Sequence, residues 1–398
     1  MKYLRIVMRS LVALAIFVSV LEISARVDDK LSYGAPFWGP YNIDRLYIHD
    51  ELGQWGRPYG SYQKWRLNSL GYRGPELRPG TIRIVCLGAS ETFGLYEDPG
   101  QEYPRQLEGD LNSRWGADTL QVVNAGYLGE SVATETRHVP QILAQVHPAI
   151  AIIYPSAATY IWLPWVGEKP DFHDQEARTE ESTAFADQWR IYDRFRNLLK
   201  NALPQNVQTK LRELTISKEA REYPVEARVP EENVLVFQRD LSELADTLRQ
   251  NGVEPVLVTH ATEFGSPLTS DDRALLVAWR KFYPMLEEDG FIDMEKRMND
   301  AIRFVASQNG FVLIDMESKI PHGRTDFADF THFTNAGSSV MAAGLAEGLE
   351  PLIATLLAER NAKPPVGVIS GDFHNSARPN SIATDLSEAE PSKRSIEH

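Results

Sequence analysis

The sequence predicts an α/β protein: a doubly wound, mainly parallel five-stranded sheet of flavodoxin-like type, with a helical insertion after the third strand. Three observations predict it. Short β-branched apolar runs recur at Ile82–Gly88, Leu120–Ala125, Ala149–Tyr154, Pro255–His260 and Phe311–Asp315, as expected of parallel strands buried on both faces. Stretches with apolar residues three and four apart alternate with them, which is the βαβ rhythm. Glycines stand at the carboxyl ends of the first two runs, Gly88 and Gly126, and that edge of an open α/β sheet is where ligands bind.

Size and charge narrow the function. The chain has 398 residues, a formal net charge of −14 and one cysteine, Cys86, inside the first strand. The acidic excess argues against nucleic acid and against an anionic membrane surface as the main partner. A lone cysteine excludes a disulfide framework and a thiolate metal site. No histidine–carboxylate spacing suits a metal, the Ser90 loop lacks the lysine of a nucleotide-phosphate loop, and no Gly-x-Gly-x-x-Gly follows a strand. No cofactor is therefore expected.

Taken in order, Lys2, Arg5 and Arg9 precede the apolar run Leu11–Leu21, with Glu22 and Arg26 after it. Basic residues ahead of an apolar run keep the N-terminus in the cytoplasm and send the rest across the membrane. Ala25 has Ile23 two places before it, so no small-x-small cleavage site follows. Residues 1–26 are expected to be an uncleaved signal anchor, with a removed signal peptide as the alternative. Residues 27–80, rich in aromatics such as Trp38, Tyr47, Trp55 and Trp65, read as an irregular wrap on the main domain.

The domain proper is expected at residues 81–360. Its first helix has Pro104 early and Leu107, Leu111 and Trp115 on one face; the next carries Pro140. The insertion covers residues 155–230, with helices near Asp187–Ala202 and Pro204–Leu214. Tyr160, Trp162 and Trp165 open it, either pinning it by burial or stacking on a sugar or lipid. An amphipathic helix through Val234, Phe237, Leu241, Leu244 and Leu248 stops at Gly252, and another with Met294, Met298, Ile302 and Val305 inward stops at Gly310. A last helix starts at Asn335 and is expected to kink at Pro351. Residues 361–398, rich in proline, serine and charge, read as a disordered tail.

Two loops carry chemistry. Ser90 follows the first strand directly, placing a hydroxyl at the ligand-binding edge; a serine that merely caps a helix is the plainer alternative. Asp329 and His332 stand three apart just ahead of the last helix, so the carboxylate reaches the imidazole and fixes its tautomer for work as a base. A serine hydroxyl needs such a partner to become a nucleophile. His260, ending the fourth strand, reads as an edge histidine facing the same rim.

These blocks resemble the SGNH (GDSL-like) hydrolase superfamily, in the bacterial group that has an N-terminal membrane anchor. The nucleophile block is Gly88-Ala89-Ser90-Glu91-Thr92-Phe93-Gly94, the glycine block Asn124-Ala125-Gly126-Tyr127-Leu128-Gly129, and the third runs from Asp329 to His332. The resemblance covers roughly residues 66 to 155 and 310 to 345, and the order of the blocks makes it specific. It implies an SGNH-type fold with Ser90 as nucleophile, His332 as general base, Asp329 as its orienter, and the amides of Ser90 and Gly126 as oxyanion donors. It also implies an esterase tethered to the inner membrane in a single pass and facing the periplasm, acting on O-acyl esters, with an acylated carbohydrate or small ester as substrate. An O-acyltransferase using the same residues, or a non-catalytic glycan-binding protein with polysaccharide-assembly partners, are the alternatives. The chain departs from the family pattern at Ala89, where aspartate is usual, and at Ala158, where the third oxyanion donor, an asparagine, is expected. Ser156 and Thr159 are the candidate substitutes.

Overall fold

The computed structural model describes residues 2–39, 41–50, 53–165, 189–219 and 225–362. Residues to 350 form one compact unit; the second begins at Pro351, and of it residues 351–362 are described.

A long helix, α1 (Lys2–Tyr33), opens the chain, running past the boundary at residue 26 that the charge pattern suggests. It is long and apolar enough to cross a membrane. Its apolar residues Leu11, Val12, Leu14, Ile16, Phe17 and Val20 are all exposed, so this run is hydrophobic all round rather than along one stripe. The aromatic stretch after it is more regular than its composition suggests. Two small antiparallel hairpins form there, β1 (Tyr47–Asp50) with β2 (Gly53–Gly56) and β3 (Ser61–Tyr62) with β4 (Trp65–Arg66). Tyr47, Trp55 and Trp65 are buried, so the wrap contributes to the core.

The central sheet holds β5 (Ile82–Gly88), β6 (Leu120–Asn124), β7 (Ile150–Tyr154), β8 (Glu254–Val258) and β9 (Val312–Ile314) in the order β6-β5-β7-β8-β9. Every pairing is parallel. In the sheet's own numbering that order is 2-1-3-4-5, the flavodoxin-like arrangement, whose switch point lies between its first and third strands. Every residue of β6 and β7 is buried, which accounts for their unbroken apolar runs. The helices α3 (Tyr103–Trp115), α4 (Val132–Val146), α7 (Glu231–Gln250) and α9 (Glu288–Asn309) flank the sheet. Pro140 sits inside α4 without ending it.

The insertion contains a 3-10 stretch, Ala158–Trp165, then α5 (Arg190–Ala202) and α6 (Gln205–Glu219). Tyr160 is buried, and its hydroxyl donates to Asp240 Oδ2 at 2.9 Å, so this ring pins the insertion; the Trp162 and Trp165 side chains lie outside the described residues, as does the tail from residue 363. The helix α8 (Ser270–Arg280) has no counterpart in the sequence reading. Its N-terminus carries a capping box between Thr269 and Asp272. The final helix, α10 (Asn335–Ala362), begins where its sequence signal begins, and Met341, Leu345 and Leu349 bury its first turns.

Candidate active site

β5 delivers Ser90 through a tight turn. Gly88 has φ +155°, and a Cβ there would stand 2.6 Å from the Tyr154 carbonyl oxygen on the neighbouring strand, so only glycine lets the strand end close. Ser90 then opens the short helix α2 (Ser90–Phe93). The Arg73 guanidinium, buried beneath, donates to the carbonyls of Phe93 and Gly94 and pairs with Glu102 at 3.3 Å. This anchors the far end of the Ser90 loop to the segment before β5.

The loop between β9 and α10 supplies the partners. Phe327 and Phe333 are fully buried with ring centroids 5.3 Å apart, and the Ala328 N–H donates to the His332 carbonyl at 2.8 Å. The chain between them is thereby bent into a tight excursion. Inside it, Asp329 Oδ1 accepts the backbone N–H of Thr331 and of His332, both at 3.0 Å. The carboxylate thus pre-set lies 2.9 Å from His332 Nδ1, and His332 Nε2 lies 2.8 Å from Ser90 Oγ. Hydroxyl, imidazole and carboxylate touch in sequence across 242 residues of chain.

Burial alone would push the Asp329 carboxyl up, but the imidazole and the two amides hold it below its ordinary value. His332 goes the other way: burial would lower it, and Asp329, with Glu91 and Glu97 behind, holds it above. A carboxylate kept ionised beside an imidazole kept basic is what proton abstraction from a hydroxyl requires.

The oxyanion side differs from expectation. The Gly126 amide donates to Asn124 Oδ1 at 3.1 Å and is thereby occupied. What Gly126 supplies is space, since a Cβ there would lie 2.7 Å from the Phe93 nitrogen of α2. It is Gly129, three residues on, that lines the cavity at Ser90, and its amide has no acceptor among the described residues. Ser156 Oγ lies 3.4 Å from Glu91 Oε1 and is taken up there. Thr159 Oγ1 is buried with no partner among the described residues, beside Ala158 on the cavity wall.

A second polar array, illegible in the sequence, forms the floor. Glu91, His260 and Glu295 are all buried. His260 Nδ1 lies 2.8 Å from Glu295 Oε2, and its Nε2 lies 3.5 Å from Glu91 Oε1 and 3.2 Å from Thr331 Oγ1. Glu91 Oε2 also accepts from Ser90 Oγ at 3.3 Å. His260 is therefore no ordinary edge histidine. Burial would push it down, yet the two carboxylates hold it well above its ordinary value, while its charge outweighs burial and keeps Glu91 ionised.

Above this floor opens a cavity of about 550 Å³. Its wall is aromatic: Trp279, Phe282 and Tyr283, at and just after the end of α8, face Phe330 of the Asp329–His332 loop, with Trp279 and Phe330 stacked at 4.6 Å. Among the described residues no cluster of histidine, cysteine and carboxylate suits a metal ion.

No family model matches the chain, and no curated protein matches it. Among solved structures it is similar to TesA, at 15% identity over 68% of this chain and 99% of that one, with a TM-score of 0.39. It is similar to a catalytic mutant of an acetylxylan esterase from Geobacillus stearothermophilus, at 12% over 69% and 96%, TM-score 0.39, and to a GDSL-like lipase from Bacteroides thetaiotaomicron, at 12% over 68% and 88%, TM-score 0.36. The class of the protein stands on its own strand order and rim: a flavodoxin-like α/β sheet with a Ser–His–Asp chain at its switch point.

Proposed function

We propose that the chain is a serine esterase that hydrolyses O-acyl esters, held at the inner membrane by α1 with its α/β domain in the periplasm. The observation that carries the reading is the unbroken contact chain from Ser90 Oγ through His332 to Asp329, opening on an aromatic-walled cavity. Ser90 attacks the acyl carbonyl while His332 Nε2 takes its proton; the imidazolium then protonates the leaving alkoxide, and water repeats the cycle on the acyl-serine. The Ser90 amide, first in α2, and the Gly129 amide are the donors on hand for the oxyanion, with the Thr159 hydroxyl beside the position of the family's asparagine. The aromatic wall takes the acyl portion. A carbohydrate as the alcohol component rests on the family resemblance and the compartment.

An acyltransferase would use the same acyl-serine and pass it to a sugar hydroxyl. The non-catalytic reading draws on Ala158 and on the occupied Gly126 amide. A fluorophosphonate probe tests the proposal: labelling of the full chain that disappears in Ser90→Ala, together with release of acid from a model acyl ester, supports it. Absence of labelling in folded protein overturns it. Labelling with acyl release only when a sugar acceptor is present points to the transferase.

A further inference from the structure

The part of α1 beyond its apolar run is gripped by α5. Glu22, the first charge after Leu21, accepts the backbone N–H of Arg190 and of Ile191 at 3.2 and 3.0 Å, capping the positive end of α5. One turn further on, the Arg194 guanidinium binds Asp28 and Asp29 at 2.7 and 2.6 Å, and the Arg190 guanidinium reaches Asp29 at 3.4 Å. The N-terminus of α5 is thus fixed at the level where α1 turns from apolar to charged.

Among the described residues, the other face of α5 is exposed. Tyr192, Phe195, Leu198 and Leu199 recur at three-four spacing, and Phe195 and Leu198 are 56% and 66% exposed. Alongside, α1 itself keeps an exposed apolar stripe through Ile23, Val27 and Leu31, on the side away from Glu22, Ala25 and Asp29, which are buried. Apolar surface therefore continues without a break in pattern from the span into the stretch that α5 flanks. A scattered exposed leucine needs no explanation, but four large apolar side chains on one helical face, moored beside a spanning helix, do.

We propose that α5 is an interfacial helix: its Tyr192–Phe195–Leu198–Leu199 face sinks into the headgroup–acyl boundary of the bilayer that α1 crosses, tying the orientation of the domain to the membrane surface. This rests on the reading of α1 as a span. The Arg190 and Arg194 guanidiniums at the start of α5 are engaged by Asp28 and Asp29, so the attachment works through apolar burial. It also needs no basic surface, in keeping with a chain of net charge −14.

The test uses the full chain in phosphatidylcholine bilayers, with a nitroxide spin label on Phe195→Cys, Leu198→Cys, Ile16→Cys in α1, and Leu235→Cys on the exposed face of α7, one at a time. The native Cys86 is fully buried and stays unlabelled. The ratio of collision with oxygen, which concentrates in lipid, to collision with a water-soluble nickel chelate is expected to rise several-fold at 195 and 198 over that at 235, approaching the value at 16. A low ratio at 195 and 198 with a high one at 16 overturns the proposal and leaves the span intact. Shielding of 195 and 198 from both reagents means that protein covers the face, a second copy or another segment, and also overturns it. A low ratio at 16 removes the span and the proposal together.

Discussion

Replacing His260 by glutamine should unbalance the buried floor of the site in a way that pH reports. His260 lies 2.8 Å from Glu295 and 3.5 Å from Glu91. At an effective dielectric near 20, each attraction is worth about 5–6 kcal/mol gross. Burying three charges consumes most of that, but removing the cation alone leaves its partners buried and unpaired, which costs about 3–5 kcal/mol. In the wild type the imidazole is pushed up to about 10, so its contribution is complete below its unfolded value of about 6.5 and is lost as pH rises towards 10. Burial would raise Glu91, but His260 outweighs it and lowers Glu91 to about 2; that contribution is complete above about 4.5 and is lost as pH falls towards 2. Between about pH 4.5 and 6.5 the array therefore adds no slope to wild-type stability. In His260→Gln, Glu91 loses its cation, burial raises it, and the native state holds a proton that the unfolded chain releases. The deficit must then shrink as pH falls across that window. Urea unfolding followed by tryptophan fluorescence, for both proteins at pH 6.5, 5.5 and 4.5, measures it. A deficit below about 1 kcal/mol at pH 6.5, or one that does not change with pH, would refute the argument.

Three further outcomes are expected. Because Asp329 holds His332 above its ordinary value, the acid limb of the ester turnover profile should have its midpoint above about 6.5; Asp329→Asn should move that limb to lower pH and cut turnover by on the order of 10⁴, read from pH–rate profiles of the two enzymes. Ala158→Asn should raise turnover of a small ester, since it restores a donor beside Thr159 on the cavity wall; a fall would mean that the Thr159 hydroxyl already fills the position. Glu135 is buried with neither carboxylate oxygen partnered among the described residues, and burial, then Glu130 and Glu91, push it well above its ordinary value. Its protonated native form costs stability increasingly as pH rises above about 4.5, so Glu135→Gln should gain up to about 1.4 kcal/mol per pH unit in urea unfolding between pH 5 and 8; a gain independent of pH would contradict that.

The sheet and the positions of Ser90, Asp329 and His332 were legible because each rests on local signals. A β-branched run closed by glycine marks a strand end, and an aspartate three residues before a histidine marks a short loop. The fold then needs only strand order to bring them together. What stayed hidden depends on contacts between distant segments. Glu91 and His260 lie in separate blocks, and nothing in either block announces the other; Glu295, on α9, reads as one more charge on an amphipathic helix. The aromatic wall escaped notice because α8 shows too few apolar residues in period to stand out, although Trp279 is fully buried.

Gly126 shows how one motif residue can serve in two ways. Its block announces a glycine near the nucleophile, but a glycine can serve through its amide or through its missing side chain, and sequence does not separate the two. Here the amide is held by Asn124 Oδ1 while the absent Cβ lets the end of β6 pass under Phe93. Asn124 also donates its side-chain amide to the Thr92 carbonyl at 2.9 Å, so one residue locks the turn after β6 to the helix that begins with Ser90. The conformation this imposes carries the chain forward to Gly129 at the cavity. The first glycine of the block thus acts as a spacer that positions the helix opened by Ser90, and the amide without an acceptor among the described residues stands three residues along the chain at the cavity.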